Sequence, residues 1–118
     1  MGEFHRSFKA IPLKDRASES HRMREKYPSR VCVLVDRTRD ATAPDIDKHK
    51  FLVPDDLTLA QFIYVIRKRI RVNPEKAIFV FVDGKLPPST ALMSEIYKDY
   101  HSSDGFLYVT YAGENTFG

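Results

Sequence analysis

The segment Thr58 to Ile70 constrains the fold more than any other stretch of the chain. Thr58-Leu59-Ala60-Gln61 has the spacing of a capping box, in which a Thr oxygen accepts from the third helical amide and a Gln side chain reaches back to the Thr amide. Leu59, Phe62, Ile63, Ile66 and Ile70 then recur at steps of three, one, three and four, and Asn73-Pro74 ends the run. A helix with one wide apolar face has to be laid on another apolar surface, and the flanking segments supply it. Lys50 to Val53 reads as a strand stopped by Pro54 on one side, and Ala77 to Val82 as a nearly unbroken apolar strand on the other, covered on at least one face.

The remaining elements follow from turn and breaker signals. Pro12-Leu13 opens a helical stretch to about Lys26, which Tyr27-Pro28 breaks because a residue before proline is pushed out of the α region. Val31 to Asp36 is a strand; Thr38 to Asp47, polar and carrying Pro44, is a loop; with Lys50 to Val53 this makes an antiparallel hairpin. Asp83-Gly84 is a turn signal, Ser89 to Tyr97 reads as a short helix, and Phe106 to Tyr111 as the last strand. The class is α+β, with a mixed four-stranded sheet, packed helices and an N-terminal helical arm. The expected organisation is a single domain: arm 1–26, core 27–113 and a flexible tail 114–118.

Composition narrows the function. With 118 residues, 42% hydrophobic and 30% charged, the chain can bury one core. No apolar run approaches the roughly 18 residues of a membrane span, and no signal-peptide core is present, so a cytoplasmic protein is expected. A single Cys32 excludes an internal disulfide. Met1-Gly2 lacks the Ser or Thr that myristoylation needs, Arg6 standing there. Residues 1 to 30 carry a net charge of +4 and residues 91 to 118 a net of −3, so the molecule is electrically two-ended. His5, His21, His49 and His101 have no metal-ligand spacing, and there is no phosphate loop or nucleophile motif; no metal, no cofactor and no enzymatic activity are expected.

Several blocks in fixed order carry a resemblance: Lys26-Tyr27-Pro28-Ser29-Arg30-Val31, Lys48-His49-Lys50-Phe51-Leu52-Val53-Pro54, Leu57-Thr58-Leu59-Ala60-Gln61-Phe62, Ile66-Arg67-Lys68-Arg69 and Phe79-Val80-Phe81-Val82, closing on Phe117-Gly118. From about Phe8 to Gly118 the chain resembles the autophagy-related protein eight family of ubiquitin-like modifiers (GABARAP-like). The resemblance implies the ubiquitin-like β-grasp, in which a hairpin, a crossing helix and a further strand pair form one sheet. It also implies a conjugation chemistry. An activating enzyme adenylates Gly118 and captures it as a thioester, a conjugating enzyme passes it to the amine of phosphatidylethanolamine, and a cysteine protease reverses the step. Glycine suits this because, lacking Cβ, it can thread a narrow channel. Two acyl chains then hold a protein to a membrane where one would not, placing the conjugated form on the autophagosome.

The resemblance further implies an edge-strand groove for short linear motif peptides of autophagy receptors and adaptors, of the form aromatic-x-x-aliphatic, adding a strand to Lys50 to Val53. The aromatic pocket is similar to one built from Glu19, Met23, Leu34, Lys50, Leu52 and Phe106; the aliphatic pocket to one from Phe51, Val53, Pro54, Leu57, Phe62, Val65 and Arg69. Strand alternation independently sends Leu52 to one face and Phe51 and Val53 to the other. From the residues alone Leu34, Leu52, Phe62 and Phe106 read as core; the resemblance makes them partly exposed pocket walls. Arg30 and Lys48, with Lys50, form a basic flank expected to favour acidic or phosphorylated residues before the aromatic. Cys32 stands where many relatives have proline, Met23 replaces a branched aliphatic, and Gly105 lies where some carry a bulky side chain. Two alternatives stay open at the level of sequence: an unconjugated peptide-binding module, and a basic adaptor binding nucleic acid through Arg67, Lys68, Arg69, Arg71 and Lys76, although a helix C-terminus welcomes cations for its own sake and no nucleic acid is expected.

Overall fold

The computed structural model describes residues 2–38 and 42–113. The chain order is α1 (Glu3–Lys9), α2 (Leu13–Lys26), β1 (Arg30–Arg37), β2 (Lys50–Pro54), α3 (Leu59–Ile70), β3 (Ile78–Val82), α4 (Met93–Tyr100) and β4 (Leu107–Gly113). The strands form one mixed sheet in the order β2-β1-β4-β3. β1 and β2 are an antiparallel hairpin, β4 returns parallel to β1 with Val33 opposite Leu107, and β3 pairs antiparallel to β4.

Both halves of the capping box form: Gln61 N donates to Thr58 Oγ1 at 3.2 Å and Thr58 N to Gln61 Oε1 at 2.9 Å. From there α3 lays Leu59, Phe62, Ile66 and Ile70 onto the sheet, all buried, with Ile63 half-buried beside them. Val31, Val33, Val35, Phe51, Val53, Leu107, Val109 and Tyr111 meet them from below. Full burial of Phe62 alone contributes roughly 2–3 kcal/mol. The helix ends on Arg71 in the left-handed region, φ 56°, which turns the chain toward Asn73-Pro74. Asp83 and Gly84 both take positive φ, 53° and 72°, in the two-residue turn closed by reciprocal bonds between Val82 and Lys85.

The fourth helix begins four residues later than its sequence suggests, at Met93 rather than Ser89, and runs on to Tyr100. The reason lies at the start of α3. Leu59 N donates to Ala91 O and Ala60 N to Ser89 O, at 2.8 and 2.9 Å, so the carbonyls of 89–91 satisfy helical amides that would otherwise lack partners. In return Met93 N and Ser94 N donate to Leu57 O and Asp55 O. Each helix start caps the other, which holds 89–91 in a turn, closed by Ala91 N donating to Pro88 O, and leaves Leu92 extended before the helix begins.

The arm is two helices. Ala10, Ile11 and Pro12 separate α1 from α2, and both pack on the sheet face opposite α3, where Phe8, Cys32, Leu34 and Phe106 form a second, smaller buried cluster. Phe8 meets Phe106 edge to face at 5.1 Å. The α2 end is fastened by a buried polar knot. Asp104 accepts from Arg16 Nε at 2.9 Å, from Phe106 N at 2.9 Å and from the Tyr108 hydroxyl at 2.5 Å, while the Ser20 hydroxyl donates to Asp104 O. Burial, followed by that bond to Asp104, drives the Tyr108 hydroxyl pKa well above its ordinary value. Gly105 beside this knot sits at φ +85°, where an added Cβ would come within 2.3 Å of Ser20 Oγ, so the site is closed to a bulky side chain.

Candidate functional site

β2 is an edge strand, and its pairing decides which of its groups are free. Val35 N donates to His49 O at 2.8 Å, so the bonded pairs continue at Val33/Phe51 and Val31/Val53. The main-chain groups of Lys50 and Leu52 therefore face away from β1, available to an added strand, except that Arg30 Nη1 donates to Leu52 O at 3.2 Å.

On the α2 side of this edge lies a cavity of about 350 Å³ lined by Glu19, Met23, Arg30, Cys32, Val33, Lys48, Lys50, Phe51, Leu52 and Phe106. Its elements explain its chemistry. Helix α2 crosses above the hairpin and presents Glu19 and Met23; β1 and β2 supply the floor through Cys32 and Leu52; the approach to β4 supplies Phe106. Lys50 Nζ bridges to Glu19 Oε2 at 2.9 Å across the mouth and also stands 5.2 Å over the Phe8 ring. An apolar interior under a rim of Arg30, Lys48 and Lys50 is suited to an aromatic side chain that follows an acidic one.

The structure brings together Glu19, Met23, Lys50, Leu52, Phe106, Arg30 and Lys48 around that cavity. Leu34 is separate: at 0% exposure it is packed beneath, among Phe8, Cys32 and Phe106. Of the four residues expected as partly exposed walls only Leu52 is half-buried; Leu34, Phe62 and Phe106 are core by exposure, Phe106 still bordering the cavity. The second set lies on the opposite face of β2, as strand alternation requires. Phe51, Val53 and Phe62 are buried there, with Phe51 and Phe62 edge to face at 5.7 Å, while Pro54 and Leu57 are half-buried and Val65 and Arg69 are exposed above them. Arg69 is held by Asp47 at 2.9 Å. Gly118 lies outside the described residues.

Other sequence features resolve into structural roles. Cys32 is buried and desolvation pushes its thiol pKa up, the opposite of a nucleophile's environment. Of the basic residues at the end of α3, Arg67 donates to Asn73 O and Pro74 O just past the helix, Lys68 lies over the Tyr64 ring and Arg69 pairs with Asp47, so these three already have partners within the chain. Sequence reasoning missed Asp104, Arg16, Ser20, His5 and Asp36. These are polar residues whose burial depends on where the arm lands, and the arm has no periodic apolar signal to say so.

Among the described residues, no helix is long and apolar enough to cross a membrane. The family described as "Autophagy protein Atg8 ubiquitin like" matches residues 15–118. The chain is 60% identical over 113 residues to Autophagy-related protein 8a of Arabidopsis thaliana, covering 95% of this chain and 93% of that one. It is 58% identical over 106 residues to Autophagy-related protein 8B of Oryza sativa subsp. indica, covering 90% and 89%. Among solved structures it is similar to Trypanosoma brucei ATG8, with TM-score 0.85, 38% identity and coverage of 90% and 91%. Plasmodium falciparum Atg8 in complex with a Plasmodium falciparum Atg3 peptide gives TM-score 0.80 and 30% identity over 88% and 92%. Family match, identity and shared architecture agree with the sheet and helices described above: the chain belongs to the Atg8 family of ubiquitin-like autophagy proteins.

Proposed function

We propose that this protein is a ubiquitin-like modifier of autophagy, joined through the carboxylate of Gly118 to the amine of phosphatidylethanolamine, and that its β2 edge recruits receptors and adaptors carrying an aromatic-x-x-aliphatic motif. The observation that carries the second half is the cavity of about 350 Å³ placed directly beside the outward-facing main-chain groups of Lys50 and Leu52, of which Leu52 O already accepts from Arg30 Nη1. A peptide laid antiparallel or parallel on that edge gains main-chain bonds, drops its aromatic into the cavity, and sets its aliphatic, on the other face, over Phe51, Val53, Leu57 and Val65. The chain acts as a binding and conjugated partner and not as a catalyst. Its own partners are the activating and conjugating enzymes of the lipidation pathway, and the cysteine protease that reverses it. That a relative's structure is a complex with an Atg3 peptide supports the conjugating enzyme as a partner. Conjugated protein sits on the autophagosome membrane and free protein in the cytoplasm.

The expected affinity is near micromolar, about −8 kcal/mol, with two buried anchors at roughly 1.5–3 kcal/mol each supplemented by strand pairing and opposed by ordering costs. The test is titration of a fluorescent peptide with an acidic flank, Trp, two spacers and Leu beside one with both anchors changed to Ala. Micromolar binding lost in the second supports the groove, and no binding of the first to about millimolar refutes it. In a reconstituted lipidation reaction Gly118→Ala is expected to abolish transfer to phosphatidylethanolamine while leaving peptide affinity unchanged; transfer by the variant refutes the assignment.

A further inference from the structure

Helix α1 is attached to the sheet through a buried imidazole. His5, 2% exposed, points its Nε2 at Leu34 O, 2.9 Å away, and because a carbonyl can only accept, Nε2 carries the proton of the neutral ring. Nδ1 meets no hydrogen-bond partner among the described residues. The backbone N–H of His5 donates to Asp36 Oδ2 at 3.0 Å, so a β1 carboxylate, itself buried, receives the first turn of α1. Phe4 stacks on His49 at 4.2 Å and Phe8 closes on Phe106. The contacts of Phe4, His5 and Phe8 thus gather around one neutral ring, and a second proton would place a charge on a side chain almost wholly withdrawn from water.

We propose that docking of α1 on the sheet is a proton-sensitive latch, closed while the His5 imidazole is neutral and opened as it takes up a second proton. Every charged or titratable group around the ring has a definite sign. From α1, Lys9 opposes protonation, its ammonium lying 4.4 Å over the Tyr108 ring. From β1, the Leu34 carbonyl and Asp36 favour it. From the approach to β2, His49 opposes it; its Nδ1 donates to Val35 O at 2.8 Å and is 3.9 Å from Asp36 Oδ1. From β4, Tyr108 packs edge to face at 5.1 Å with its hydroxyl committed to Asp104, a neutral contact. Burial outweighs the favourable groups and holds the ring below its ordinary 6.5.

The released helix regains an ordinary, solvated histidine, so the released form binds the proton that the docked form refuses. Docking is unaffected well above pH 6.5 and weakens as pH falls through it, by up to about tenfold per pH unit until the docked ring itself titrates. Opening uncovers Phe8, Leu34 and Phe106, and because Phe106 also lines the cavity beside β2, it removes one support of that cavity. The latch stands apart from the peptide-binding reading and does not need it.

The test is amide hydrogen exchange on the full chain at pH 6.4 and 5.4, corrected for intrinsic exchange, with the His5 ring titrated by NMR. The expected result is a loss of protection of up to about sixfold at the α1 amides, with α3 amides near Ile66 unchanged. His5→Gln, which keeps a donor for Leu34 O and cannot charge, removes the loss; His49→Gln retains it. Equal α1 protection at both pH values in the native chain overturns the proposal, as does the same loss in His5→Gln, or its disappearance in His49→Gln. Should His5→Gln already be undocked at neutral pH, the native ring decides: a midpoint below 6.5 shared with the α1 amide shifts supports the latch, and one at or above 6.5 overturns it.

Discussion

Asp104→Asn tests whether the arm is fastened by one buried ion. The side chain of Asp104 is fully buried and that of Arg16 is 13% exposed, at 2.9 Å, so the pair is little screened by water. Asparagine keeps the volume and can still accept from Phe106 N, but it removes the charge facing Arg16 and turns an N–H₂ toward both Arg16 and the Tyr108 hydroxyl, which share Oδ2. Arg16 retains bonds to Lys9 O and Ile11 O, which soften the loss. Removing one partner of a buried pair costs about 3–5 kcal/mol, and that residual bonding places the expectation at the lower end, about 3 kcal/mol. For 118 residues the unfolding entropy is about 0.25 kcal/mol/K, so the melting temperature should fall by about 12 °C. Urea denaturation followed by circular dichroism measures this directly, the chain having no Trp. The double variant Arg16→Met with Asp104→Asn should recover about 2 kcal/mol relative to the sum of the two single changes, because it leaves no buried charge unpaired. A cost under about 1 kcal/mol for Asp104→Asn, or no coupling in the cycle, would show that the knot follows from the packing of α2 and does not hold it.

Gly105→Ala should lower stability by about 2 kcal/mol through its positive φ and the collision with Ser20, and pairing it with Ser20→Ala should restore part of that; full stability of the single variant refutes the close approach. Thr58→Ala should cost about 1 kcal/mol by chemical denaturation, and a neutral result would mean that the Ala91 and Ser89 carbonyls suffice to cap α3. Raising salt from low to physiological strength should weaken an acidic-flank peptide more than a neutral one, with Arg30→Ala erasing the difference; salt-independent binding sinks the role of the Arg30, Lys48 and Lys50 rim. Cys32 should react with a thiol reagent far more slowly in the folded chain than in denaturant, and rapid labelling of the folded chain would contradict its burial.

What the sequence disclosed and what it withheld divide along a physical line. Wherever a run could satisfy itself from local rules, the reading and the structure coincide: the capping box at Thr58, the apolar stripe of α3, the Asp83-Gly84 turn and the opposite facing of Leu52 and Phe51. The start of α4 did not, because the turn at 89–91 is held by amides that belong to another helix, and no local pattern encodes a partner about 30 residues away. The same holds for the arm. α2 is strongly polar, and its grip on the sheet runs through Arg16 and Ser20, which in a linear reading are surface residues; only once β4 brings Asp104 beneath them do they become interior. The candidate site inherits both kinds of information. Its edge strand and its two faces come from alternation along β2. The depth of its cavity is set by how far α2 is drawn down by Asp104 and how firmly Phe106 is backed by Phe8 of α1. A substitution at Arg16, Ser20 or Phe8 should therefore change the aromatic side of the groove more than the aliphatic side, whose floor of Phe51, Val53 and Phe62 belongs to the core on the opposite face of the sheet.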